Sequence, residues 1–517
     1  MGPHHIAVLG GGLTGLSSAY HLSHRFPSAL ITLIERSSRV GGWAESERVV
    51  LKDPKDGSEA SILLEGGPRT LRPSAKSVLE LVTRLDLLDS VIAIPGASPA
   101  SKNKFMQIPG QRGLTSIPTT IMGLLRSPFG SSITKALAKD ALTFSNRADL
   151  TDESFNAFLC RRFGHEFAET IGSAMVHGIF ATDSRKLSVR SAFPVLWEAE
   201  EHGWGSVTRG FMRKRNEEDV EQSHYISKPV QKAMEGASVF SFRDGMDTVA
   251  RAVEGHLSKL KNVKILKNTD ITSLGVSITD KSIEITTTSP DLPQLRPTHV
   301  VSALPLYALH NILSPNSTLP HLTANPSSTV TVYNLIFRTD TPTPIHPTGF
   351  GYLIPRPPGG YTHPEANSEG ILGCVFDSCA LGAQDHMPGP TRYTKMTVMA
   401  GGPYMAGSAY QGGPPALDAV LRALAGHLDW PTVYEPVFSR VRENRECIPV
   451  PAPGHLERMA ELKRALLGEE WRGRMEIVGA GVGGVSVGDC VEAGRWVGEK
   501  WGPSAEQDED EDEGDDE

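Results

Sequence analysis

The residues of this chain best suited to chemistry are glycines, and their spacing says what they do. Val8-Leu9-Gly10-Gly11-Gly12-Leu13-Thr14-Gly15 holds a Gly-x-Gly-x-x-Gly between an apolar run, Ile6 to Leu9, and a helix-like segment, Leu16 to Leu22. A second β-rich run, Leu30 to Ile34, ends in Glu35, twenty residues after Gly15. Such glycines allow a tight turn and close backbone approach, the helix N-terminus faces a pyrophosphate, and the acid accepts from a ribose hydroxyl. A lone Gly-x-Gly-x-x-Gly is weak evidence. With strand, helix and acid in register, it reads as a dinucleotide site.

Three more segments favour FAD over a nicotinamide. Arg39-Val40-Gly41-Gly42-Trp43 follows Glu35 directly, where a plain nicotinamide domain would proceed to its next helix. Leu64-Glu65-Gly66-Gly67-Pro68-Arg69-Thr70-Leu71-Arg72-Pro73 adds a stiffened turn with two guanidiniums. Near the other end, Met475 to Gly484 with Val485 to Arg495 repeats strand, glycine-rich turn and helix. A C-terminal strand returning to the first sheet would aim that helix at the flavin end of the cofactor.

Such turns need elements to hold them, and 517 residues provide two or three domains. Val263 to Leu266, Ile283 to Thr286 and His299 to Ala303 are strand-like and predict a return to the cofactor sheet. Thr329 to Phe337 and Thr394 to Met399, set among Pro/Gly loops, predict an antiparallel sheet. Thr151 to Phe167 predicts a capped helix. Residues 212–235 read as a charged loop.

Composition excludes several classes. The five cysteines are odd in number and lack metal spacing, so neither a disulfide framework nor a zinc site is expected. No apolar run is long enough to span a membrane, and neither a signal peptide nor an Arg-rich presequence is expected. Net charge is −9, but residues 506–517 carry ten acids and no base, leaving a nearly neutral body and nothing that points to nucleic acid. The tail reads as a solvated, disordered run. Ile117 to Leu142 places Ile117, Ile121, Leu124, Leu125, Phe129, Ile133, Leu137 and Leu142 among Arg126, Lys135 and Lys139. That pattern suits either a membrane-interface helix or a core-packing helix pair turned at Pro128.

Over nearly its whole length the chain resembles the protoporphyrinogen oxidase family of the glycine-doublet flavin amine-oxidase superfamily. The superfamily motifs are Gly10-Gly11-Gly12-x-x-Gly15, Gly41-Gly42-Trp43 and Gly67-Pro68-Arg69-x-x-Arg72-Pro73. More particular to the oxidases are Gly349-Phe350-Gly351-Tyr352-Leu353-Ile354-Pro355 and Thr397-Val398-Met399-x-Gly401-Gly402. Cys447-Ile448-Pro449 and Gly484-Val485-x-Val487-x-Asp489-Cys490 add to the match.

The resemblance implies an α/β fold: a split Rossmann-like FAD-binding domain, an antiparallel-sheet substrate domain and a helical membrane-associating region. The cofactor domain would take 1–90, 236–308 and 441–503, the helical region 91–235, the substrate domain 309–440, and the acidic tail 504–517. FAD would be lined by Gly10, Gly11, Gly12, Leu13, Thr14, Gly15, Glu35, Arg36, Gly42 and Trp43, with Gly67, Pro68, Arg69, Thr70, Ile271, Ala480, Val485, Ser486 and Val487. Substrate would lie between Leu353 and Met399, with Phe350 and Val375 beside them and Gly178 leaving room at the reacting edge. The implied reaction is oxygen-dependent, six-electron oxidation of protoporphyrinogen IX with release of hydrogen peroxide. The implied setting is the mitochondrial inner-membrane surface, without a cleavable presequence. A homodimer and a ferrochelatase contact are admitted among the partners.

Departures from the family pattern are informative. The propionate anchor, commonly Arg before an aromatic, is matched by Lys104-Phe105, which keeps the charge and loses the bidentate fork. Asp244 replaces a small residue in Phe242-Arg243-x-Gly245-Met246, and Val450-Pro451 replaces a polar pair after Ile448-Pro449. His177, beside Gly178, is expected to be structural rather than a general base. Two alternatives stay open: an amine oxidase or desaturase on the same fold, or a non-enzymatic binding protein like the Rab escort proteins.

Overall fold

The computed structural model describes residues 4–118, 129–143, 150–213, 224–339, 344–362, 366–406 and 413–501. Its centre is a five-stranded parallel sheet in the order Met475–Ile477, His299–Ser302, His5–Leu9, Leu30–Ile34, Val263–Leu266. All of Ile6 to Leu9 and Ile31 to Ile34 are buried, as strands covered on both faces must be. On one side, helix Leu13–Arg25 packs against helix Val487–Lys500. Their approach is close because a Cβ on Gly494 would meet Ser17 Cβ at 2.6 Å, and Ser17 Oγ donates to Val491 O at 2.7 Å. The two ends of the chain thus close one layer.

The second sheet has seven strands in the order Phe438–Pro449, Ser327–Arg338, Tyr393–Gly401, Ile371–Val375, Gly351–Leu353, Phe105–Met106, Thr115–Ser116. One face, including Tyr333, Tyr352, Cys374 and Val398, is apolar and packs with Val420, Leu421 and Leu424 of helix Leu417–His427. The other face looks toward hairpin strand Glu59–Glu65, which Lys395 Nζ ties down by donating to Leu63 O at 2.7 Å.

Several elements differ from the sequence expectation. Ile283–Thr287 pairs with Ile271–Val276 and Gln294–Leu295 in a separate three-stranded sheet, not in the cofactor sheet. The expected helix from Thr151 instead begins at Phe155, where Ser154 Oγ accepts from Ala157 N, and stops at Arg162 before Gly164, whose φ is +97°. Phe438–Pro449 crosses the expected boundary at 440, and Phe105–Met106 joins the antiparallel sheet rather than the helical region. Three Arg and two Glu within 440–446 conceal an edge strand, and two-residue strands leave no periodicity to read. Residues 119–128, 214–223 and the acidic tail lie outside the described residues, and within the expected 212–235 loop Lys228–Met234 is a helix with Pro229 in its first turn.

The helical region is bound together by buried charge. Arg162 Nε donates to Asp140 Oδ1 at 2.7 Å, and both side chains are fully buried. Asp140 also accepts from Thr208 N and Ser206 Oγ, capping helix Val207–Arg213 from helix Gly130–Leu142. Arg161 pairs with Glu153 and Glu200 beside them.

Candidate active site

Helix Leu13–Arg25 starts at Gly12 with no side-chain cap, so its first N–H groups face outward. A Cβ on Gly12 would meet nothing within 4 Å, whereas one on Gly15 would collide with Gly10 O. Gly41 N donates to Gly11 O at 2.8 Å, which lays the glycine doublet against the first turn. Glu35 accepts from Gly11 N at 2.8 Å through one oxygen and from Ser37 N at 2.8 Å through the other. Asn268 N and Thr269 N donate to Ser37 O and Glu35 O, which brings Ile271 near the same strand end. An uncapped helix start, an open space beside Gly12 and an anchored acid fit a pyrophosphate and ribose.

The C-terminal segment is arranged differently from expectation. Ser486 Oγ accepts from Asp489 N, and Asp489 accepts from Ser486 N, a capping box that uses two of the helix's own donors. Exposed Gly483 and Gly484 before it leave the backbone accessible, while Gly479, at φ +115°, brings this turn against Thr14. Ala480 and Val485 are half-buried in this segment. Arg36, Gly42 and Trp43 are exposed beside Glu35, and Leu13 is half-buried.

Between the two sheets runs a chain of polar groups. Arg69 Nη1 donates to Asp377 Oδ1 at 2.8 Å, both nearly buried. Thr397 Oγ1 donates to Asp377 Oδ2 at 2.7 Å and accepts from Asn334 Nδ2 at 2.9 Å. Arg440 closes the chain on Asn334 Oδ1 at 2.9 Å. Half-buried Gly67, Pro68 and Thr70 flank Arg69. Nearby, burial pushes the Glu65 carboxyl up to about 7, although Ser46 Oγ and Met246 N donate to it. Thr397 opens one of the family motifs, but no motif pairs it with Asp377 or Asn334, and only folding brings the three to Arg69.

Strand register puts the expected substrate residues on one sheet face. Met106 is opposite Leu353, Leu353 opposite Gly373, and Gly373 opposite Met399. The next row holds Gly351, Val375 and Thr397. Gly373 and Gly351 have no side chains, so the floor between Leu353, Met399 and Val375 is low. Above it lies helix Ser173–Phe180, where a Cβ on Gly178 would come within 2.8 Å of Leu353 Cδ2. Gly178 and Ile179 are exposed on that side. Lys104, exposed, immediately precedes the strand Phe105–Met106, which lies between Gly351–Leu353 and the edge strand Thr115–Ser116. Phe350 does not share the row; it packs with Ile94, Ala100 and Leu381.

Other expectations are resolved by contacts. Asp244 pairs with Arg48 at 2.8 Å, fastening the Ser46–Lys52 strand to the Phe242–Met246 turn. Val450 enters the core of the helical region with Phe155 and Val176. Trp471 is fully buried behind the cofactor sheet, and Trp496 lies under Lys463, so neither forms an aromatic pair at the slot. Among the described residues no cluster fits a metal, and no helix is long and apolar enough to cross a membrane.

Residues 13–405 match the family of flavin containing amine oxidoreductases. The chain is 31% identical to the protoporphyrinogen oxidase of Homo sapiens over 514 residues, covering 95% of this chain and 96% of that protein. It is 30% identical to the protoporphyrinogen oxidase of Schizosaccharomyces pombe, covering 96% and 98%. A crystal structure from Exiguobacterium shares the fold, with a TM-score of 0.71 at 19% identity over 96% of this chain and 98% of that one. The chain therefore belongs to the flavin-containing amine oxidoreductases, among the protoporphyrinogen oxidases, and is an FAD-dependent oxidoreductase.

Proposed function

We propose that this enzyme oxidises protoporphyrinogen IX to protoporphyrin IX in haem biosynthesis, with molecular oxygen as acceptor. The observation that carries the reading is the low sheet face of Leu353, Gly373, Met399 and Val375 beneath the bare backbone of Gly178. An apolar sheet face that carries no side chain at Gly351 or Gly373 suits a flat tetrapyrrole. FAD, when bound, accepts hydride equivalents and passes the electrons to oxygen, releasing hydrogen peroxide. The chain's own residues bind and orient. Leu353 and Met399 grip the ring faces, Gly178 admits the reacting edge, and Lys104 meets a propionate.

His177 is not the proton acceptor. Its Nδ1 lies 2.7 Å from Ile354 O and its Nε2 2.7 Å from Tyr361 OH, and burial lowers its pKa to about 4. Both nitrogens are already engaged.

A membrane surface would supply so apolar a substrate. Leu142, Trp204, Phe211 and Met212 are exposed where helices Gly130–Leu142 and Val207–Arg213 meet, and Arg213 stacks over Trp204 at 3.5 Å. Apolar tips with cationic neighbours suit peripheral docking at the inner mitochondrial membrane. Homodimerisation and a ferrochelatase contact remain compatible with that placement.

Anaerobic mixing of the purified flavoprotein with protoporphyrinogen IX tests the reading. Bleaching of the flavin band within seconds is expected, and its recovery on admitting oxygen with formation of peroxide. A flavin that stays oxidised under protoporphyrinogen but bleaches with an amine would replace this reading with the amine-oxidase one.

A further inference from the structure

We infer that His177 is a positioning residue that fixes the height of Gly178 over Leu353, where helix Ser173–Phe180 meets the proposed substrate face. The inference rests on the reading of that face given above. Leu353 supplies the floor, and the adjoining Ile354 carbonyl receives a hydrogen bond from His177, the neighbour of roof residue Gly178. A carbonyl only accepts, so Nδ1 carries the proton and donates to Ile354 O at 2.7 Å. Nε2 is then bare and accepts from Tyr361 OH at 2.7 Å. The tautomer is dictated by partners on both sides.

The far end of this chain is itself fixed. The Tyr361 ring meets Tyr404 edge-on at 5.0 Å, and Tyr404 OH accepts from Asn367 Nδ2 at 3.0 Å. Asn367 in turn brackets Ile371, donating to its carbonyl at 2.8 Å and accepting from its N–H at 3.0 Å. Ile371 begins the strand that carries Gly373. One buried chain therefore joins the roof helix to two adjacent floor strands.

The helix needs such a tie because its ends are irregular. A π-helical turn, Ala168–Gly172, precedes Ser173, and the helix stops at Ala181 in the left-handed region, with φ +47° and ψ +43°. Gly402 lies so close to Ala181 O that it has no room for a side chain. Neither end sets the height of Gly178 over Leu353 as directly as His177, one residue away and 2% exposed.

The test compares Tyr361→Phe, His177→Asn and His177→Ala with wild type, as flavin-loaded enzymes, in steady-state turnover of protoporphyrinogen IX. Tyr361→Phe removes one hydroxyl, and His177→Asn keeps a donor near Ile354 O. KM should rise about three- to tenfold in these two and further in His177→Ala. The rate constant kcat should stay within about twofold, and FAD content and melting temperature should stay near wild type in Tyr361→Phe. A fall in FAD content or melting temperature in Tyr361→Phe alongside the raised KM would show a purely structural role and overturn the inference. Unchanged KM in Tyr361→Phe and His177→Asn overturns the inference, as does a parallel fall in kcat and kcat/KM, which would put His177 in the chemistry. Should His177→Ala fail to fold, Tyr361→Phe decides. A wild type that protoporphyrinogen cannot reduce sinks the substrate reading instead, so the two failures are distinct.

Discussion

Gly12 and Gly15 sit in one turn yet should answer substitution in opposite ways. Gly12 is extended, at φ −69° and ψ 177°, and faces open space. Gly12→Val should therefore keep the apoprotein within about 1 kcal/mol of wild type, while the branched side chain fills the volume a pyrophosphate needs. Gly15→Ala places a methyl group against Gly10 O and should cost the fold about 3 kcal/mol. Urea melts of apoprotein beside flavin content of purified protein check both, and stoichiometric FAD in Gly12→Val would count heavily against the cofactor assignment. Lys104 poses a separate question at this scale. Lys104→Ala should raise KM for protoporphyrinogen about tenfold or more, the equivalent of a charge-assisted hydrogen bond of about 1.5–3 kcal/mol. Lys104→Arg should restore or improve binding, because a guanidinium grips a carboxylate with two parallel bonds. FAD content should hold in both. Wild-type KM in Lys104→Ala would move the anchor elsewhere; Arg112, the next cation along, already pairs with Asp429 at 2.9 Å.

Among the elements, helix Gly130–Leu142 carries its most buried polar tie at Asp140. Asp140 neutralises Arg162, which is fully buried, and caps helix Val207–Arg213 through Thr208 N at 2.7 Å. Asp140→Ala leaves the buried guanidinium with only the Glu200 carboxylate, at 3.6 Å, and the cap undone, which should cost about 3–5 kcal/mol. A denaturant midpoint equivalent to less than 1 kcal/mol of loss would show that the helices are held by packing instead. Helix Leu417–His427 offers a pH-dependent case. His427 Nδ1 lies 2.9 Å from Tyr352 OH, and burial lowers its pKa to about 4, below the ordinary 6.5. Between those values the unfolded chain binds a proton that the native state refuses, so stability falls as pH drops from 6.5 toward 4. His427→Gln should flatten that part of the melting-temperature profile, and an unchanged slope would assign the acid sensitivity to other groups.

For the molecule as a whole, the question is where it rests while it works. Trp204 is 70%, Met212 77% and Leu142 78% exposed. A Trp204→Ser, Phe211→Ser, Met212→Ser variant should bind anionic phospholipid vesicles at least tenfold more weakly in sedimentation while keeping its turnover in detergent. Equal vesicle binding would count against the proposed docking surface.

The sequence by itself determined what lies within a few residues of each glycine. The Gly10 to Gly15 turn, the strand to Glu35 and the doublet at Gly41 are local backbone constraints, and a left-handed or tightly approached position admits almost nothing else. Family motifs likewise marked Leu353 and Met399. What they could not say is that both point to the same face, since that depends on the register of Gly351–Leu353, Ile371–Val375 and Tyr393–Gly401. Register between distant strands is chosen by side-chain packing across the sheet, and a shift of one residue would turn every side chain over. Phe350, three residues before Leu353, falls on the opposite face by simple alternation along the strand, whereas Ile283–Thr287 joined a sheet of its own because strand character does not name a partner. The Arg69–Asp377 pair, 308 residues apart in sequence, and the Ile354–His177–Tyr361 chain exist only once the two sheets and the roof helix are packed. Polar groups pair there because burial leaves them no water, a condition that the tertiary structure alone creates.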